Sequence, residues 1–259
     1  MLLTKDYVEL LVEPTHMANN TRLPSVLAVV AHPDDETLGV GGTLASFASK
    51  GWSVGSCILA GTADARFLRP SDEGLRADTL KAHKTLGIRE PVLGTFPNIR
   101  LNSIAHLELV QFIEHAIESA HADLILTHHP ADLNDDHGHV ARAALAASRL
   151  WLRRPGSLPP LRGLYFFETL SSTDWAFSSD VLPFRPTTFV DVTYFLDVKV
   201  RAAACYRDVM RPHPHSRNVD SLRALARLRG AQAGVMAAEA LQCAFSRLDD
   251  SVGAVHDHT

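Results

Sequence analysis

The sequence predicts an α/β fold built on a doubly wound, mostly parallel sheet. Apolar, β-branched runs recur as SVLAVVAH (25–32), WSVGSCILA (52–60) and DLILTHH (123–129), the pattern of strands buried on both faces. Segments with helical spacing separate these runs, and the connections are short. Strand–helix–strand units of this kind need parallel crossovers.

Each element has its own local signal. After the first strand, GTLASFASKG reads as a short helix ending at Gly51. Ser71 or Asp72 opens a helix through LRADTLKAHKTLG that stops at Gly87. PVLGTF reads as a short strand, LNSIAHLELVQFIEHAIESA has apolar residues at helical spacing, and GHVARAALAASRLWL is helical. RRPGSLPPL (153–161) is a proline-rich connector without the composition shift of a domain boundary. Beyond it, LRGLYFFE and TTFVDV read as strands, and helices over 194–210 and 218–240 close the chain. The expected architecture is a Rossmann-like doubly wound sheet with a mixed α/β C-terminal part.

Composition narrows the function. The chain has 259 residues, 46% of them hydrophobic, enough to fill one large core. A net charge of −4 provides no basic field to attract nucleic acid. Cys57, Cys205 and Cys243 are odd in number and lack CxxC spacing, which argues against a disulfide framework or a cysteine-based zinc site. They read as small apolar residues in a reducing compartment. The N-terminal MLLTKDYVELLVEPTH is broken by Lys5, Asp6 and Glu9 and lacks the marks of a signal peptide. No apolar run approaches the ~18 residues of a membrane span. A cytoplasmic enzyme is expected. Fourteen histidines are unusual, and the clusters His128/His129, His137/His139 and His213/His215 call for a chemical explanation.

The stretch AVVAHPDDETLGVGG (28–42) permits two chemistries. A dinucleotide site needs G-x-G-x-x-G directly after the strand, but Leu44 stands at the third glycine position. Asp34, Asp35 and Glu36 would also repel a phosphate, and no GKS/T follows. Gly39, Gly41 and Gly42 are instead expected to permit a tight turn and close helix–sheet packing. A metal site fits better: His32 and Asp35, three residues apart around Pro33, can face one cation while Asp34 stays free as a base. HHPADLNDDHGHV (128–140) offers several candidates for a third ligand. Because open parallel sheets bind ligands beyond the carboxyl ends of their strands, the loops His32–Glu36, Thr62–Arg66 and His128–His137 should line one rim.

Together, AHPDDE and HHPADLNDDHGHV resemble the PIG-L/LmbE-like zinc-dependent N-acetylglucosaminyl de-N-acetylases, which remove acetyl from N-acetylglucosamine units. The likeness continues through ADTLKAHKTLGI, GTFPNIRLN, FFETLSSTDW, FVDVTYFLDVKVRAAACYRDVMRPHPHSR and RLRGAQAGVMAAEAL. It implies a single LmbE-like domain over 25–241, between an N-terminal extension (1–24) and a C-terminal tail (242–259). It further implies that His32, Asp35 and His137 bind Zn2+ and that Asp34 is the general base. Such a site leaves zinc a position for water, whose pKa it lowers from ~15.7 toward ~7.

One departure stands out. Asn134 occupies a position where some relatives carry histidine, and an amide supplies no proton at neutral pH. The missing role is expected to fall to His215 in RPHPHSR, with His129 or Asp34 itself as alternatives. Asp136 is expected to orient His137 or a neighbour. His139 faces away from His137 on a helix, so the two are rivals for one ligand position. Arg66 and Arg100 are candidates to grip a substrate phosphate or hydroxyl, and Trp175 is either a sugar-stacking platform or a core residue.

The resemblance thus implies hydrolysis of the acetamide of an N-acetylglucosamine-type sugar or conjugate, giving acetate and a free amine. Alternatives are another acylated amino-sugar conjugate (a thiol, a nucleotide sugar or an antibiotic) or a non-catalytic sugar- or metal-binding protein. The expected partner is a small-molecule amino sugar. Oligomers occur in the resembled family, so a homo-oligomer whose His215 loop reaches a neighbouring site is a further expectation.

Overall fold

The computed structural model describes residues 23–62, 70–154, 156, 158–177 and 182–247. Seven strands form one sheet: β1 (Ser25–Val30), β2 (Ser53–Ile58), β3 (Val92–Leu93), β4 (Leu124–His128), β5 (Gly163–Phe167), β6 (Thr188–Asp191) and β7 (Ala238–Ser246). Their order is β3-β2-β1-β4-β5-β7-β6. The first five pair in parallel, whereas β7 runs antiparallel to both β5 and β6. The helices are α1 (Asp35–Ser49), α2 (Asp72–Leu86), α3 (His106–Ala120), α4 (Asp135–Ala147), α5 (Leu150–Arg153), α6 (Leu196–Ala203) and α7 (Val219–Ala233).

The continuous apolar runs are explained by burial on both sides. In β1, Leu27 and Val29 join a core with Leu109, Ile113 and Ile117 of α3 and Val140 and Ala144 of α4. The alternate residues Val26, Ala28 and Val30 face the opposite way and pack with Val40 and Leu44 of α1. β1 is flanked by β2 on one side and β4 on the other, so strand order reverses there. A crevice opens beyond the carboxyl ends of β1 and β4, and the chain leaves those ends at His32 and His128.

Of the two roles expected of the glycines, the close helix–sheet packing is present and the tight turn is not. α1 begins at Asp35 itself, and Gly39, Gly41 and Gly42 lie inside it, not in a turn. They serve close approach: a Cβ at Gly39 would lie 2.4 Å from the Phe167 ring, and one at Gly42 3.0 Å from Val192. Within α1, Val40 leaves helical geometry (φ −128°, ψ 21°). A buried ion pair occupies the break. Lys199 Nζ of α6 donates to Gly39 O (3.1 Å) and to Glu239 Oε1 of β7 (2.6 Å). Glu239 in turn accepts the backbone N–H groups of Gly42 (2.9 Å) and Thr43 (2.6 Å). Side chains thereby satisfy the backbone groups that the kink opens.

Boundaries shift elsewhere for physical reasons. The closing helix expected to reach 240 stops at Ala233, where Gly234 turns left-handed (φ 75°). AEALQCAFS then forms β7, because pairing with β5 and β6 outweighs the helical preference of its alanines. That strand continues beyond residue 241. The helix expected over 194–210 is confined to α6, and α3 starts only after a 3₁₀ turn at Leu101–Ser103. α2 keeps the expected caps, with Ser71 accepting from Gly74 N–H and Gly87 in the left-handed region. Among the described residues, no helix is long and apolar enough to cross a membrane.

The Lys199–Glu239 pair gives a stability prediction. Glu239→Ala strands a buried ammonium and two backbone N–H groups, so urea unfolding should show a loss of about 3–5 kcal/mol. An unchanged midpoint would show that the pair does not hold the kink.

Candidate active site

Loops following β1, β4 and β5 meet at the crevice. Asp35 Oδ2, fully buried at the start of α1, lies 3.2 Å from His32 Nδ1, 3.2 Å from His137 Nε2 and 3.4 Å from His128 Nε2. It also accepts the His32 backbone N–H at 2.9 Å. The far nitrogen of each outer histidine is engaged by a carboxylate. His32 Nε2 lies 2.9 Å from Asp136 Oδ2, and His137 Nδ1 lies 3.2 Å from Asp132 Oδ1. Assigning those nitrogens the protons leaves two imidazole lone pairs beside Asp35, with His137 Nε2 buried and lacking a hydrogen bond.

This donor set fits a divalent cation. The ligand atoms of His32, Asp35 and His137 lie within 4.8 Å of one another. Each histidine also has behind it the carboxylate that sets the tautomer of a metal-binding imidazole. A second grouping, His128–Asp132–His137, meets the same distance test but not the directional one. His128 and His137 stack at 3.7 Å with planes 13° apart, so their in-plane lone pairs lie in separate, nearly parallel planes and do not meet at one point. His128 Nε2 instead accepts Ala31 N–H at 3.0 Å.

The electrostatics agree. Burial opposes ionisation of Asp35, yet His137 and His128 hold its carboxyl well below the usual range. Burial likewise opposes the charge on His137, but Asp35 and Asp132 raise it to about 10. A cation would take the place of that proton. Burial and the neighbouring His137 push His128 down to about 4, which keeps it neutral as its bond to Ala31 requires.

Supporting side chains come from all sides. Asp136 also accepts N–H groups from Ile99 (2.7 Å) and Leu101 (2.9 Å), tying that loop to His32. Asp132 accepts from Ser172 and Thr173 in the loop after β5. Asn134 caps α4 by accepting Asp136 N–H at 3.0 Å. Asp34 is buried and precedes α1 with φ 116°, a conformation that a non-glycine residue holds only when its surroundings fix it. Its N–H donates to Glu36 Oε2 (3.2 Å), while Glu36 Oε1 accepts from Tyr206 OH (2.5 Å) and Thr37 OH (2.7 Å). Arg217 Nη1 lies 3.6 Å from Asp34 Oδ2.

Arg217 is also part of the wall of a cavity of about 590 Å³, together with Ser171, Trp175, Arg211, Pro214, His215 and Ser216. Trp175 is 53% exposed and belongs to this wall, not to the core. His215 Nδ1 accepts Arg217 N–H (3.0 Å), which leaves Nε2–H as a donor. Burial, Arg211 and Arg217 lower the His215 pKa, so the ring stays neutral at neutral pH. Arg217 reaches this chain's own Asp34, so the His215 loop borders the site of its own chain.

Several expected residues lie elsewhere. His129 points away from the cluster. Its Nδ1 accepts Ala131 N–H (3.1 Å) and its ring meets Phe166 and Phe184 edge-on. Successive residues of a strand end face opposite ways, which separates it from His128. His139 is paired with Asp135 (3.4 Å) on the outer side of α4. Arg100 is exposed, and Arg66 lies outside the described residues. Asp132, Ser172 and Arg217 were not singled out from sequence, although HHPADLNDDHGHV, FFETLSSTDW and RPHPHSR contain them.

A model of the PIG-L family, described as GlcNAc-PI de-N-acetylase, matches residues 27–148. The chain carries a PIG-L domain. His32, Asp34, Asp35, Asp132, Asp136 and His137 all fall within the PIG-L match, whereas the cavity wall lies beyond it. Solved structures with a similar fold include the conserved protein TT1542 from Thermus thermophilus, 26% identical with a TM-score of 0.70, covering 88% of this chain and 97% of that one. N,N′-diacetylchitobiose deacetylase from Pyrococcus horikoshii is 19% identical, with a TM-score of 0.66 and coverage of 84% and 82%. GalB, the 4-carboxy-2-hydroxymuconate hydratase from Pseudomonas putida KT2440, is 21% identical, with a TM-score of 0.67 and coverage of 88% and 99%. The latter two are named for different reactions, so the PIG-L domain's fold does not by itself choose the chemistry. No curated protein sequence matches the chain significantly.

Asp136→Asn should weaken metal binding about 10–100-fold, because His32 loses the carboxylate that fixes its ring. Competition against a chromophoric chelator measures this. An unchanged affinity would remove Asp136 from the support of the site.

Proposed function

We propose that the protein is a zinc-dependent amidohydrolase that removes acetyl from an N-acetylglucosamine-type sugar or its conjugate, releasing acetate and a free amine. The observation that carries this reading is the His32–Asp35–His137 donor set with a separate carboxylate, Asp34, held beside it. The description of the matched family as a de-N-acetylase supports it, as does the fold shared with a diacetylchitobiose deacetylase. When bound, the metal supplies a Lewis acid that acidifies water and polarises the acetamide carbonyl.

The chain's own groups do the rest. Asp34 takes the proton from the attacking water and returns it to the nitrogen as the C–N bond breaks. Glu36 and Tyr206 fix its backbone, and Arg217 holds its carboxylate. Neutral His215 donates Nε2–H to the carbonyl oxygen as negative charge gathers there. Asn134, committed to the α4 cap, takes no part in proton transfer. Trp175 offers a flat face to the sugar ring. A purely binding protein has no need of a base beside an open metal site, which disfavours the non-catalytic alternative. We further infer a cytoplasmic enzyme, a reading supported by the three free cysteines.

Acetate release from N-acetylglucosamine conjugates by zinc-loaded protein tests the proposal. Asp34→Asn should lower kcat about 10²–10⁴-fold with zinc content unchanged, whereas Asp35→Ala should lose the metal. Full activity in Asp34→Asn would overturn the assignment.

A further inference from the structure

The wall of the cavity differs from the rest of the molecule in charge. The whole chain is net −4, yet among the described residues this wall holds two guanidinium groups and no carboxylate. Both arise from one closed loop, in which Arg211 N–H donates to Arg217 O (2.8 Å) and His215 N–H to Pro212 O (3.2 Å). The two arginines are not equivalent. Arg217 is spent on Asp34 and on Ser171, to which its Nε donates. Arg211 forms no ion pair among the described residues, and the charge nearest it on the wall is that of Arg217. A cleft lined by one sign of charge concentrates ligands of the other. A guanidinium fork matches two oxygens of a phosphate or carboxylate.

We propose that Arg211, with the Ser216 and Ser171 hydroxyls nearby, forms an anion subsite, and that the substrate carries a phosphate or carboxylate on the part lying in this cavity. The inference rests on the deacetylase reading for the identity of the rest of the substrate. The subsite itself lies on the C-terminal loops, outside the residues that hold the metal. Trp175 on the same wall offers a surface for the ring between the acetamide and the anionic group.

Sugars without an acetamide separate the subsite from the chemistry. Calorimetric titration of the full chain with glucose 1-phosphate, methyl glucuronide and methyl glucoside compares phosphate, carboxylate and neutral ligands. At least one anionic sugar should bind about tenfold or more tightly than the neutral one, and the preference should shrink with added salt. Which anion binds better identifies the group. Arg211→Ala should abolish the preference and Arg211→Lys should keep part of it. The Arg211 side chain is exposed, and thermal melting of both variants checks that the fold is retained. Equal binding of all three sugars, no detectable binding of either anion at millimolar concentration, or a preference that survives Arg211→Ala would overturn the proposal. An anion preference without acetate release from any acetylated sugar would instead overturn the deacetylase reading and leave the subsite standing.

Discussion

Asp35 Oδ2 is the point on which the site depends. It belongs to the first residue of α1, lies against nitrogens of three histidines, and is almost wholly removed from water. An isolated carboxylate in such a place would be too costly to ionise, so its surroundings must supply positive charge. The raised pKa values of His32 and His137 would let protonated imidazoles provide it, and a divalent cation would do so more fully. The same oxygen joins the end of β1, the end of β4 and the first turn of α4, so holding the charge and closing the crevice are one event.

That arrangement is held from a distance. α1 brings Asp34 and Asp35 to the crevice, and its course is bent at Val40. The bend persists because Lys199 and Glu239 replace the hydrogen bonds it breaks. Glu239 sits on β7, about 200 residues after the helix it steadies. The glycines of α1 allow that helix to lie on Phe167 and Val192, which brings β5 and the segment after β6 within reach. The C-terminal part is therefore structural support for the first loop as well as a wall for the cavity.

The sequence made the first half of this architecture readable because its signals are local. Strands buried on both faces give unbroken apolar runs, as in SVLAVVAH, and His32-Pro33-Asp34-Asp35 is short enough for its spacing to carry chemistry. The end of α7 and the strand β7 were not readable in the same way. AAEAL has helical composition, and only its partners β5 and β6 make it a strand. The placement of the glycines inside α1 was hidden for a similar reason, since a glycine in a close-packed helix and one in a turn look alike until Phe167 is placed opposite. Asp132 and Arg217 are ordinary charged loop residues in sequence. Their relation to His137 and Asp34 exists only after the loops following β4 and β5 and the loop after α6 converge.

The division of the chain bears on how one fold serves different reactions. His32, Asp35 and His137, the carboxylates of Asp136 and Asp132 behind the two histidines, and Asp34 all lie within residues 27–148. The cavity wall is drawn from the loop after β5 and the loop between α6 and α7, both outside that span. These loops are anchored to the frame, since Tyr206 and Val209 of the second pack with Leu38 and Ala45 of α1, so it is their solvent-facing residues that can change without disturbing β1, β4 or α1. Structures named for a hydratase and a deacetylase share a fold similar to this one, so the chemistry rests on the residues each chain places on it. For this chain the wall is cationic and carries an exposed tryptophan. On the proposed reading, Arg211, Trp175 and their neighbours would distinguish the substrate from other acetamides, while Asp34 and the His32–Asp35–His137 set would act on the bond to be broken.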